Sequence, residues 1–213
     1  MENARELYIK VLDLYKKYGI KSVTMDDIAR ELGISKKTLY NLVSDKKELV
    51  EKVILQEFDD VKECFNRVFE KEGINAIEQL IEVNIFMRSQ LKYRSSSLDY
   101  DLKKYYPDLH HKISEKKQQE MYQSVLDNMK KGKSEGIYRE ELNEEIIAKL
   151  YVTRIIHAHE SSIISIEDFI APEAYKEYFV YHIRGIANQK GIKILEKHID
   201  KLEHTEYERN SHD

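Results

Sequence analysis

Apolar residues recur at intervals of three and four along most of this chain, the spacing that lines one face of a helix. Leu7, Val11, Leu14 and Tyr18 predict a helix over about Ala4–Tyr18, closed by Gly19. Val50, Val53, Ile54, Phe58, Val61 and Phe65 predict a long helix from Lys46 to about Lys71, ended near Gly73. Ile77, Leu80, Val83 or Asn84, Met87 and Leu91 mark another over Ala76–Lys92. Ser95, Ser96 and Ser97 cap a short helix running to Tyr106, and Pro107 begins one with Ile113, Gln118, Met121, Tyr122, Val125 and Met129 on its inner side. Gly-Lys-Ser-Glu-Gly at 132–136 reads as a break. Asn143 then caps a helix containing Ile147, Leu150, Tyr151, Ile155 and Ala158. After a linker at about 166–171, Pro172 opens a helix that is apolar around much of its girth: Tyr175, Tyr178, Phe179, Tyr181, Ile183 and Ile186. A last helix, about Gln189–Leu202, precedes a polar tail at 204–213. Only two prolines and seven glycines interrupt 213 residues, so the expected class is all-α.

The densest run of start and stop signals lies at residues 23–49, VTMDDIARELGISKKTLYNLVSDKKEL. Thr24 is a candidate N-cap answered by Asp27, Ile28 and Leu32 share a face, and Ala29 lets a second helix approach. Gly33 turns the chain, and Ser35 caps a short helix from Lys36 to about Leu42. That helix turns Leu39 inward and exposes Lys36, Lys37, Thr38, Tyr40 and Asn41. Asp45 caps the next start, with Glu48 at the third helical position. Three capped helices about one tight turn make a helix-turn-helix, which places its second helix in the DNA major groove. Lys36 and Lys37 suit a guanine edge or a phosphate, Thr38 a thymine methyl or base edge, and the Tyr40 hydroxyl a phosphate. Lys46 is expected to hold a phosphate at the start of the long helix, where free N–H groups favour anions. From Gly33 to Lys47, Lys36, Lys37, Lys46 and Lys47 against Asp45 give a charge of +3 in a chain of net charge −4. The picture is one local basic footprint on an acidic remainder.

These residues resemble the TetR family of bacterial transcriptional repressors: Thr24, Asp27-Ile28-Ala29, Gly33-Ile34-Ser35, Leu39-Tyr40, then Lys46 and Leu49. Two positions depart from the family pattern. Val43 stands where an aromatic is usual, and Leu42 where an aromatic or basic residue is usual. The resemblance implies an N-terminal three-helix head on a larger helical body that binds an effector and dimerises. It implies DNA contacts at Thr24, Ser35, Lys36, Lys37, Thr38, Tyr40, Asn41 and Lys46. The head is expected over 1–48 and the body over 49–203.

Helices at about 143–160 and 172–187 carry more apolar surface than one stripe needs, so the expected partner there is a second copy in a four-helix bundle. The other expected partner is double-stranded DNA bearing a near-palindromic operator. Polar or soft residues at inward positions, Asn84, Met87, Gln118, Met121, Tyr122 and His157, are candidates for an unknown small-molecule effector, though a methionine-rich core explains them as simply. No catalytic residue, metal or cofactor is expected. His157 and His159 lie roughly 200° apart on a helix and cannot grip one ion, and no nucleophile elbow or phosphate loop is present. Cys64 is the one cysteine, which fits a reducing cytoplasm, and no run of about 18 apolar residues suggests a membrane span. Two alternatives stay open: a protein-interaction module with a degenerate head, and an activator rather than a repressor.

Overall fold

The computed structural model describes residues 2–92, 95–157, 163, 168 and 171–199. Helices are α1 (Glu2–Tyr18), α2 (Met25–Glu31), α3 (Lys36–Leu42), α4 (Lys46–Phe69), α5 (Ala76–Lys92), α6 (Ser96–Tyr105), α7 (Pro107–Ser134), α8 (Glu144–His157), α9 (Pro172–Ile186) and α10 (Gln189–His198). Among the described residues the only β feature is an isolated bridge between Tyr138 and Ala187, so the class is all-α with a helix-turn-helix at the N-terminal end. Ala158, the 159–162 segment, residues 166, 167, 169 and 170 of the linker and the 204–213 tail lie outside the described residues, as do the side chains of Leu91 and Tyr175.

The chain forms two compact units, Met1–Cys64 with Arg94–Lys116, and Phe65–Tyr93 with Lys117–Asp213. The first has a core of Val11, Tyr15, Ile20, Ile28, Leu39, Leu49 and Val50, joined by Leu98 and Leu102 of α6 and by Leu109 and Ile113 of α7. Burying such side chains stabilises the fold by about 1.5–3 kcal/mol each. The unit holding the helix-turn-helix therefore also contains α6 and the first turns of α7, far along the chain.

The second unit has its own core, including Ile77, Ile81, Val125, Met129, Tyr138, Phe179, Ile183 and Leu195. A closed polar network runs through it. Asn128 Nδ2 donates to the Ala76 carbonyl at 2.9 Å and to Gln79 Oε1 at 2.7 Å. The Tyr138 hydroxyl donates to Asn128 Oδ1 at 2.8 Å, and Gln79 Nε2 donates to the Phe69 carbonyl. Buried polar groups persist only when satisfied in this way.

Several expectations are corrected here. Residues 132–134 continue α7 rather than break it, and the chain turns at Gly136. Gly132 is needed because the Tyr138 ring lies against its Cα, in the space a Cβ would fill. Gln118 is exposed, since it falls between Ile113, the last α7 residue of the first core, and Met121, the first that packs on the second. His157 is exposed because it ends α8 on the side opposite the buried Ala148. Leu150 and Tyr181, apolar positions of the two helices expected to meet a second copy, are 62% and 73% exposed. Asn84 is buried, and Met87, Met121 and Tyr122 are half-buried.

Asn128→Leu should lower stability by about 1–3 kcal/mol for each partner it strands, and Tyr138→Phe by only about 1 kcal/mol. Urea unfolding checks this, and an Asn128→Leu chain as stable as the parent would contradict it.

Candidate nucleic-acid interface

The head is assembled by local hydrogen bonds that its sequence encodes. The Asp27 N–H donates to Thr24 Oγ1 at 3.2 Å, and Asp27 Oδ2 accepts from the Thr24 N–H at 2.9 Å and from its hydroxyl at 2.6 Å. This capping box holds the Asp27 carboxyl below the usual range, through the two Thr24 hydrogen bonds. Ser35 Oγ accepts the Thr38 N–H at 3.0 Å and lies 2.8 Å from Thr38 Oγ1. At the far end of α3, Lys52 Nζ donates to the Leu42 carbonyl at 3.1 Å while pairing with Glu48 at 2.8 Å. Glu48 also accepts the Ser44 N–H at 2.6 Å, and Asp45 accepts the Glu48 N–H at 2.8 Å. Lys52 and the Ser44 hydrogen bonds pull the Glu48 carboxyl down to about 2. The α3–α4 turn is thus fixed at both ends.

Within α3 only Leu39 is buried. Lys36, Lys37, Thr38, Tyr40 and Asn41 are all exposed, and Leu42 is exposed beside them. Lys36 is steered by an ion pair to Asp26 at 2.5 Å. Val43, at the position where an aromatic was expected, is buried in the core, so the smaller side chain leaves the turn closed. The surface of α3 therefore presents two ammonium groups, two hydroxyls and an amide, the donors and acceptors that base edges and phosphates take.

Lys46 departs from its expected place. It is half-buried, and its ammonium donates to the Ile20 carbonyl at 2.6 Å. Burial lowers its pKa, against the favourable charges of Asp101 and Asp27. Lysine 46 ties the α1–α2 loop to the start of α4 instead of reaching outward. Its neighbour Lys47 is exposed on that turn.

Asp101 of α6 went unnoticed in the sequence. It is buried and accepts the Lys21 N–H at 2.8 Å. Its Oδ2 lies 2.9 Å from where a Gly19 Cβ would stand, at φ +80°, so only glycine fits. The neighbouring Ser95 hydroxyl donates to the Lys16 carbonyl near the end of α1, at 2.8 Å. A lone aspartate in α6 carries no periodic signal; only the fold brings it to residues 19–21.

Among the described residues no group of three or more His, Cys, Asp or Glu could hold a metal ion, and no helix is long and apolar enough to cross a membrane. In the second unit a cleft of about 100 Å³ is lined by Lys71, Ile74, Glu78, Ile81, Glu82 and His198. It includes none of the six candidate ligand residues, and small-molecule sites occupy about 300–1,000 Å³.

Residues 12–53 match the family described as "Bacterial regulatory proteins, tetR family". An uncharacterised HTH-type transcriptional regulator, YvaF, of Bacillus subtilis (strain 168) is 33% identical over 104 residues, 49% of this chain and 54% of that protein. The chain thus aligns with about half the length of this curated relative. Among solved structures, a transcriptional regulator from Cytophaga hutchinsonii ATCC 33406 superposes with TM-score 0.66 at 19% identity, over 94% of this chain and 98% of that one. The TetR family protein CprB from S. coelicolor A3(2) gives 0.64 at 12% identity, over 97% and 100%. These two likenesses establish the fold.

Lys46→Ala should lower the urea midpoint by the equivalent of about 1–2 kcal/mol, because the Ile20 carbonyl loses its donor. Lys47→Ala should leave it unchanged, and equal midpoints for the two variants would reject the tie.

Proposed function

We propose that this chain, whose residues 12–53 match the tetR family of bacterial regulatory proteins, is a sequence-specific DNA-binding transcriptional regulator of that family, acting as a homodimeric repressor in the cytoplasm. The observation that carries this is α3, which turns Leu39 into the core and offers Lys36, Lys37, Thr38, Tyr40 and Asn41 to a major groove. Residues 1–48 are the DNA-reading part in this proposal and 49–203 the effector and dimerisation part.

A single short helix reads few base pairs, so a two-fold pair on a near-palindromic operator, with centres about 34–36 Å apart, is the economical arrangement. Ile146 and Leu150 of α8 and Tyr181 of α9 support the pairing surface, being 55%, 62% and 73% exposed in a single chain. Arg154 stacks on the Tyr178 ring at 4.0 Å beside them, with a buried Nη2 that has no hydrogen-bond acceptor. Next to it, burial and the Arg154 charge push the His182 pKa down to about 3, so this ring is neutral at pH 7.

Release by a small-molecule effector rests on the family resemblance and on the half-buried Met87, Met121 and Tyr122 and the buried Asn84. Gln118 and His157, both exposed, are less favourably placed for it. A coupling of about 1–3 kcal/mol would lower operator affinity 5- to 150-fold.

Selection from a random duplex pool tests the reading, with enrichment of a near-palindrome expected and no enriched motif overturning it. On the selected duplex, Lys37→Ala should weaken binding and relax preference at one or two positions. Lys47→Ala should weaken all sequences alike and reduce the salt slope by about 1.

A further inference from the structure

We infer that Lys21 and Lys104, gathered around Tyr105 and Tyr100, form a second phosphate-binding surface that extends the DNA contact beyond α3; the inference rests on the DNA-binding reading above. Lys21 lies in the α1–α2 loop and Lys104 near the end of α6, 83 residues apart in the chain but in the same compact unit. Lys21 Nζ donates to the Tyr105 hydroxyl at 3.0 Å and sits 4.6 Å from the ring centre. Lys104 Nζ lies 5.4 Å from the centre of that same ring and donates to the Tyr100 hydroxyl at 2.7 Å. Two ammonium groups thus converge on one aromatic ring.

The choice of partners is the informative part. Five other lysines of this unit pair with carboxylates: Lys10 with Glu6, Lys16 with Glu57, Lys36 with Asp26, Lys52 with Glu48, Lys112 with Glu51. Among the described residues, Lys21 and Lys104 have no carboxylate within ion-pair distance and rest on phenols instead. The nearby acids are already engaged. Asp101 lies buried beneath, bound to the Lys21 N–H, and Asp99 has an interaction of its own. Converging cations without a counter-ion are disfavoured unless an anion arrives, and hydroxyls beside them complete the donor set that a phosphate takes.

Duplex DNA is the anion source that the position favours. The loop bearing Lys21 is fastened to the start of α4 through Lys46 and the Ile20 carbonyl, and it leads within three residues into Thr24, the cap of α2. The patch is therefore rigidly joined to the unit that carries α3. A pair of ammonium groups resting on phenols would hold backbone phosphates and add affinity without sequence preference.

The test uses the full chain, the selected operator, and the same operator lengthened by about five base pairs on each side, titrated by fluorescence anisotropy at several salt concentrations. Lys21→Gln/Lys104→Gln should bind the longer duplex about 3- to 10-fold more weakly, with a salt slope reduced by about 1–2, and bind the short duplex like the parent. Lys104→Gln alone should show part of the effect, which guards against misfolding of the double variant. Unchanged affinity and slope on the longer duplex would overturn the inference while leaving the α3 reading intact. A parent chain that selects no duplex at all would instead overturn the reading on which it rests.

Discussion

A seven-residue helix cannot sustain itself in water, and α3 is such a helix. It contributes one buried side chain, Leu39, so its position depends on how firmly its neighbours hold its ends. Ser35 closes the first turn, and Lys52 and Glu48 of α4 close the last. Because α3 spends so little of its surface on the core, nearly all of it stays available outward. The same economy that makes the helix dependent makes it useful.

The support extends further along the chain than the helix-turn-helix itself. Asp101 on α6 takes the Lys21 N–H above Gly19, and Lys46 takes the Ile20 carbonyl, so residues 19–21 are gripped from both sides. These ties are polar, directional and largely shielded, and each leaves a stranded group if its partner is lost. The head therefore includes α6 as a structural member, although α4 and α5 separate them in the sequence.

What the sequence disclosed, and what it hid, follows from range. Caps such as Thr24 with Asp27 and Ser35 with Thr38 join residues three apart, so their chemistry is written in adjacent letters. Helix boundaries were legible for the same reason. The partner of Lys46 is 26 residues away and that of Asp101 is 80, and no local pattern announces either. Periodicity also gives an angle around a helix without saying which turns are covered. Gln118 has the inward angle but lies where neither core reaches, and Leu150 and Tyr181 are apolar without being covered by their own chain. Gly132 reads as a breaker, yet it serves as the flat seat for an aromatic ring. The side chains expected on α3 were exposed together because one buried leucine in a capped turn fixes the rest by geometry alone.

The most direct check on the base-reading role of α3 is a comparison of lysine acylation rates, residue by residue, in the free chain and in its complex with the selected duplex. Lys36 and Lys37 should react readily when free and become protected on binding, while the shielded Lys46 stays slow in both states. Equal reactivity of Lys36 and Lys37 in the complex would contradict the account, because the helix would then face solvent with the DNA bound elsewhere.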